Sequence, residues 1–118
     1  MKKSLILLRT LTLRKCWNFL LLYWSFQWAR LLRKPIHWGN PAKIGVEPTT
    51  SCNLRCPECP SGLRSFTRPT GMLDLASFQK MADSLHKDLV YMLMYFQGEP
   101  YLNPNFLPMA AYAAQRKI

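Results

Sequence analysis

Residues 89–96, LVYMLMYF, form an unbroken apolar run between Asp88 and Gln97-Gly98. A strand with one wet face alternates apolar and polar side chains. A continuous run of this length reads instead as a strand buried on both faces, as in a parallel sheet covered by helices. Parallel strands cannot be joined by a tight turn and need a long crossover. The chain supplies one. KIGVE at 43–47, bounded by Pro41 and Pro48, reads as the first strand. Asp74 then caps a helix in which Leu75, Phe78, Ala82, Leu85 and Leu89 recur at helical spacing. After the apolar run, Asn103-Pro104 opens a further helix, with Asn as cap and Pro at the first position. Met109, Tyr112, Ala113 and Arg116 continue it. The expected order is β-loop-α-β-loop-α, an α/β class. Sites in such architectures lie at the C-terminal ends of the strands, where the loops 49–62 and 97–103 emerge.

Ahead of this unit lies a segment of different character. The chain carries +10 overall, yet residues 1–34 hold eight bases and no acid. Within them, residues 16–29, CWNFLLLYWSFQWA, are uncharged and include Trp17, Trp24 and Trp28. They are too few to span a bilayer, which takes about 20 apolar residues. A secretory signal also fits poorly, because Arg9 cuts the early run Leu5-Ile6-Leu7-Leu8 and no small-residue cleavage site follows. On a helix, Trp17, Leu21, Trp24, Trp28 and Leu31 share one face, and Arg14, Asn18 and Ser25 another. One reading is an interfacial helix with peripheral membrane contact through residues 1–34. The favoured expectation is an extension packed on its own domain with its basic residues solvated. Nucleic acid is not an expected partner, because bulky apolar residues dominate the helix and no base-reading module is recognisable. Lys34-Pro35 ends the helix, and residues 35–42, PIHWGNPA, form a linker. The division is therefore 1–34 helical extension, 35–42 linker and 43–118 α/β unit.

Three of the four cysteines fall in CNLRCPEC at 52–59, spaced C-x3-C-x2-C. With no export signal the expected compartment is cytoplasmic and reducing, which disfavours disulfides. Structural zinc takes four protein ligands. The octet offers three, Cys16 lies far upstream in the aromatic helix, and neither His37 nor His86 is spaced as a partner. An iron–sulfur cluster accepts three thiolates and leaves one iron open to a ligand. Cys16 itself reads as a small buried hydrophobe.

The octet within IGVEPTTSCNLRCPECPSG, just after a first strand, resembles the start of the radical S-adenosylmethionine (radical SAM) core. Within that superfamily it is most similar to maturase-like members with a cysteine-rich C-terminal SPASM domain. The resemblance implies that Cys52, Cys56 and Cys59 ligate a 4Fe-4S cluster. Its open iron would bind the amino and carboxylate groups of SAM, and cleavage would give a 5′-deoxyadenosyl radical that abstracts hydrogen from a substrate. Gln97-Gly98-Glu99-Pro100 matches three of the four residues of the family's Gly-Gly-Glu-Pro motif, so Gly98 and Glu99 are the implied SAM contacts. Gln97 departs from the motif. Glu58 stands where the family often has an aromatic residue near the adenine. Arg55, Arg64 and Arg68 flank the loop and read as a solvated face. Glu47 reads equally as a site residue and as a structural hydrogen-bond acceptor.

The implied fold is the N-terminal β-α-β-α portion of a partial (β/α)6 barrel, preceded by the amphipathic basic helix. Residues 43–118 cover two of the six units, so the sequence reads as an N-terminal fragment, inactive alone. The implied partners are SAM, an electron donor such as a flavodoxin or ferredoxin, and a substrate that the residues do not identify, a peptide being the maturase-like expectation. The alternative is a non-catalytic iron–sulfur or zinc binding module that docks on a membrane or a partner enzyme.

Overall fold

The computed structural model describes residues 10–65, 67 and 69–118. Leu5, Ile6, Leu7, Leu8, Arg9 and Arg68, named above, lie outside the described residues. The elements are helix α1 (Leu13–Leu32), strand β1 (Lys43–Gly45), helix α2 (Leu75–Leu85), strand β2 (Tyr91–Leu93), a 3-10 turn (Pro100–Leu102) and helix α3 (Phe106–Gln115).

The two strands pair in parallel, with Lys43 opposite Tyr91, Ile44 opposite Met92 and Gly45 opposite Leu93. Backbone bonds extend the contact at both ends. Val90 N–H donates to Ala42 O at 2.8 Å, and Val46 N–H to Leu93 O at 2.7 Å. The helix between them starts where the sequence places it, for the Asp74 side chain accepts from Ser77 N–H at 2.9 Å. Its apolar stripe supplies Phe78 and Ala82 to the core. Helix α3 supplies Met109 and Ala113, and Val46 completes the buried set. Ile44, Met92 and Met94 pack on it from the strands.

Both helices thus cover the face that carries Ile44, Val46, Met92 and Met94. The opposite face, with Lys43 and Tyr91, is open, and the Lys43 ammonium lies 5.6 Å from the centre of the Tyr91 ring. This corrects the expectation of a strand buried on both faces over 89–96. The strand is three residues long, and Tyr95 and Phe96 beyond it are 62% and 75% exposed. An apolar run states that a segment favours burial, and it does not supply a second layer of helices.

Asn103 is a second correction. It is not the cap of α3, which begins at Phe106 with Asn105 at the cap position. Asn103 is buried. Its amide donates to Pro48 O at 2.7 Å and to Leu73 O at 2.9 Å, while its Oδ1 accepts from Asn105 N–H at 2.9 Å. One side chain therefore ties the end of β1, the lead-in to α2 and the start of α3. Local spacing shows a capping residue followed by Pro. The two distant carbonyls that compete for its amide are visible only in three dimensions.

Helix α1 packs on the unit through its polar side. Asn18 and Asn40 exchange two bonds, Asn18 Nδ2 to Asn40 O at 2.9 Å and Asn40 N–H to Asn18 Oδ1 at 2.8 Å. Gly39 permits this approach, because a Cβ there would lie 2.8 Å from Leu22 Cγ and 2.9 Å from Asn18 Oδ1. Arg14 grips Asp88 with two bonds of 2.7 and 3.0 Å, and Asn40 Nδ2 adds a third at 2.8 Å. Bonding to Arg14 holds the Asp88 carboxyl below the usual range, against the opposing effect of burial. Lys15 is 1% exposed, and its ammonium donates to Lys117 O. Burial, with the Lys117 charge, lowers its pKa. The expectation of solvated basic residues on a packed extension is thus corrected at Lys15. Lysine can be buried here because its ammonium finds a carbonyl at the end of α3.

Asn103→Ala is expected to lower the unfolding free energy by about 1–3 kcal/mol, since Leu73 O loses the Asn103 amide and Pro48 O keeps only Leu73 N–H. Asn103→Asp, which sets acceptors against those carbonyls, is expected to cost at least as much. Urea titration followed by circular dichroism checks both.

Candidate functional site

The cysteine octet occupies the loop that leaves the C-terminal end of β1. A short antiparallel contact closes its base. Thr49 bridges Met72, Leu73 N–H donates to Pro48 O at 2.9 Å, and Thr50 N–H donates to Gly71 O at 3.1 Å. Inside this base the loop has two halves. Residues 51–56 adopt no regular structure. The second half is turned, with Cys59 N–H donating to Cys56 O at 3.2 Å and Leu63 N–H to Cys59 O at 2.9 Å. All four cysteines are free thiols, Cys52 and Cys59 half-buried, Cys56 and Cys16 exposed. The exposure of Cys16 corrects its reading as a buried hydrophobe. It lies on the side of α1 turned away from the domain.

The turn after β2 docks on both flanks of this loop. Gly98 N–H donates to Ser61 Oγ at 3.1 Å, and Glu99 N–H donates to Ser51 O at 2.8 Å. Gly98 has φ +80°, and a Cβ on it would lie 2.2 Å from Thr49 O and 2.9 Å from Ser51 O. Only glycine fits a left-handed backbone pressed this closely on another chain segment. Gln97, the departure from the motif, gives its N–H to Glu47 Oε1 at 3.1 Å, so Glu47 provides a structural acceptor. Glu99 is half-buried, and its Oε1 accepts from Tyr101 N–H at 3.3 Å at the start of the 3-10 turn. Gly98 and Glu99 are thereby held beside Ser51, next to Cys52, although nearly the whole crossover separates them in sequence.

The electrostatics of the loop favour a thiolate at Cys59. The backbone N–H of Gly62, then the backbone and hydroxyl of Ser61, lower its pKa against a smaller effect of burial. Hydrogen bonds to the charged form stabilise it. Ser61 has a double role, accepting from Gly98 N–H while its hydroxyl supports Cys59. Ser61 and Ser51 are the residues that sequence reasoning missed. Their partners come from another element, and no local pattern marks them. Arg55, Arg64 and Glu58 are exposed on the loop.

The donor set has the chemistry of a soft-metal site, three free thiols on one loop beside a carboxylate. The described residues nonetheless contain no group of three or more His, Cys, Asp or Glu side chains gathered closely enough to hold a metal ion. Ligation by the octet requires its sulfurs to converge. Residues 52–55 belong to no helix or ladder, so their movement would break none, whereas Ser51, the turned half from Cys56 onward and the Gly98–Glu99 turn are held by hydrogen bonds. No protein-family model, curated protein or solved structure matches the chain.

Gly98→Ala is expected to destabilise the protein by about 2 kcal/mol or more, from the left-handed backbone and the contact with Thr49 O together. Thermal unfolding monitored by circular dichroism reads this. Cys59 is expected to alkylate with a lower pH midpoint than an unperturbed thiol, and Ser61→Ala to move that midpoint up. The sign follows from loss of a donor to the thiolate. Mass spectrometry of iodoacetamide labelling against pH measures it.

Proposed function

We propose that residues 43–118 carry the cluster- and SAM-binding elements of a radical SAM enzyme core, with Cys52, Cys56 and Cys59 as ligands of a 4Fe-4S cluster and Gly98 and Glu99 as contacts to SAM. The supporting observation is the docking of the Gly98–Glu99 turn between Ser51 and Ser61, the two flanks of the cysteine loop. A cysteine triplet alone fits several metal sites. A triplet joined to a glycine–glutamate turn by specific backbone bonds fits a site that holds a metal and an amine-bearing ligand side by side.

Each residue has a definite task in this reading. The three thiols supply charge and soft donors. The amides of Ser61 and Gly62 bias Cys59 toward thiolate, the form that binds metal. Gly98 brings the backbone close, and Glu99 offers a carboxylate to the ammonium of SAM. When bound, such a cluster supplies the electron that cleaves SAM to a 5′-deoxyadenosyl radical for hydrogen abstraction. The non-catalytic module with iron–sulfur or zinc is the competing reading. It shares the three thiols and gives Gly98 and Glu99 no ligand to contact.

Anaerobic reconstitution with iron and sulfide, followed by reduction and EPR, is the test. Cys52→Ala, Cys56→Ala and Cys59→Ala are each expected to abolish the reduced-cluster signal, and Cys16→Ala to retain it. SAM is expected to perturb the signal in the parent protein, and Glu99→Gln to weaken its binding by about tenfold. Loss of the signal in Cys16→Ala would establish a four-thiolate site instead. A signal that ignores SAM would assign the non-catalytic module.

A further inference from the structure

Helix α1 presents its sides in the reverse of the order expected for a surface helix. Lys15, Asn18 and Ser25 are buried against the domain, whereas Trp17, Trp24 and Trp28 are 63%, 54% and 44% exposed. Leu13, Leu20 and Leu31 extend the open side along the helix. This orientation is fixed by the Asn18–Asn40 exchange, the Arg14–Asp88 pair and the Lys15 bond to Lys117 O. A contiguous apolar face of this size, held outward by polar bonds, marks an interaction surface.

Charge identifies what that surface meets. The first 46 residues hold nine bases and no acid. At the C-terminal end of α1, Arg30, Arg33 and Lys34 are exposed. At its N-terminal end, Arg14, Lys15, Lys87, Arg116 and Lys117 line a cavity of about 180 Å³. Arg14 pairs with Asp88 and Arg116 with Asp83, and the Lys15 ammonium is buried on Lys117 O, so the exposed Lys87 and Lys117, which form no salt bridge among the described residues, carry the open charge there. The helix is thus aromatic along its exposed side, with exposed bases beyond both of its ends. Trp and Tyr favour the headgroup zone of a bilayer, and Lys and Arg favour anionic lipid. A second copy would set this cationic surface against itself. Among the described residues no helix is long and apolar enough to cross a membrane, so contact along the surface is the geometry left to α1.

We infer that α1 docks the protein on an anionic bilayer, lying in the interfacial plane with the cysteine loop directed away from the lipid. The orientation follows from topology. Helix α1 is bound to Asn40, Asp88 and Lys117, which precede β1, precede β2 and follow α3. The cysteine loop and the Gly98–Glu99 turn leave the other ends of the same strands. The inference goes beyond the radical SAM reading and needs no metal.

Flotation of the metal-free 118-residue protein with vesicles tests it, using phosphatidylcholine alone or with about one quarter phosphatidylglycerol. A membrane-impermeant maleimide then labels the cysteines, read by mass spectrometry. Cys16, exposed on α1, reports on the docking face, and Cys56, exposed in the loop, reports on the opposite end. Flotation with anionic vesicles is expected to exceed that with neutral ones by about tenfold, and Cys16 labelling to slow by about tenfold while Cys56 is unaffected. Trp24→Ser and the pair Arg33→Glu, Lys34→Glu are each expected to weaken flotation severalfold with unchanged circular dichroism, since all three side chains are exposed. Absent flotation, equal flotation with both vesicles, or protection of Cys56 in place of Cys16 would overturn the inference. So would a lipid-free dimer in which Cys16 is already protected, which would give the face to a second copy. A failed EPR experiment leaves this result standing, because no cluster is present in it.

Discussion

Parallel pairing of β1 and β2 is the constraint from which the rest of the structure follows. Parallel strands start at one edge and finish at the other, so whatever follows each strand is brought together. Here the cysteine loop follows β1 and the Gly98–Glu99 turn follows β2. The opposite edge receives the linker residue Asn40 and the helix-terminal Asp88, and these bind α1. One short sheet thereby separates a thiol-rich end from a basic, aromatic one.

The sheet does this with little ladder of its own. Each strand is three residues long, and the apolar core is a small set around Phe78 and Met109. Burial of each such side chain contributes about 1.5–3 kcal/mol, which leaves backbone placement at the loops to other forces. Polar side chains supply them. Asn103 ties three segments, Ser61 links the cysteine loop to Gly98, and Asn18 with Asn40 joins α1 to the linker. Among the described residues no buried side-chain nitrogen or oxygen lacks a hydrogen-bond partner. That completeness matters, because an unpaired buried amide would cost more than a paired one contributes.

The same economy explains the unusual helix. A polar side turned inward can be stable only if every buried polar group is met, and Arg14, Lys15 and Asn18 are met by Asp88, Lys117 O and Asn40. The apolar side is then left outward. Helix periodicity alone separated the tryptophans from Arg14, Asn18 and Ser25, although Leu21, grouped with the tryptophans, is half-buried beside Arg14 and Asn18, and it could not say which side would face the domain. The usual preference for burying tryptophan gives way here because the domain edge offers carboxylate, carbonyl and amide partners rather than an apolar groove.

What the sequence determined by itself was local or motif-like. The α2 cap at Asp74, the stop of α1 before Pro35, the order of strands and helices, the spacing of Cys52, Cys56 and Cys59, and the position of Gly98 and Glu99 after the second strand were all legible. These depend on residues within a turn or two of one another, where capping, periodicity and chain direction act. The tertiary structure decided the burial of Lys15, the exposure of Cys16 and Tyr95, the tie made by Asn103 and the clamp of Ser51 and Ser61 on the Gly98 turn. Each depends on which carbonyl, amide or helix face arrives from a distant part of the chain. A side chain that can bond in several ways is assigned its role by the partner that folding brings within reach.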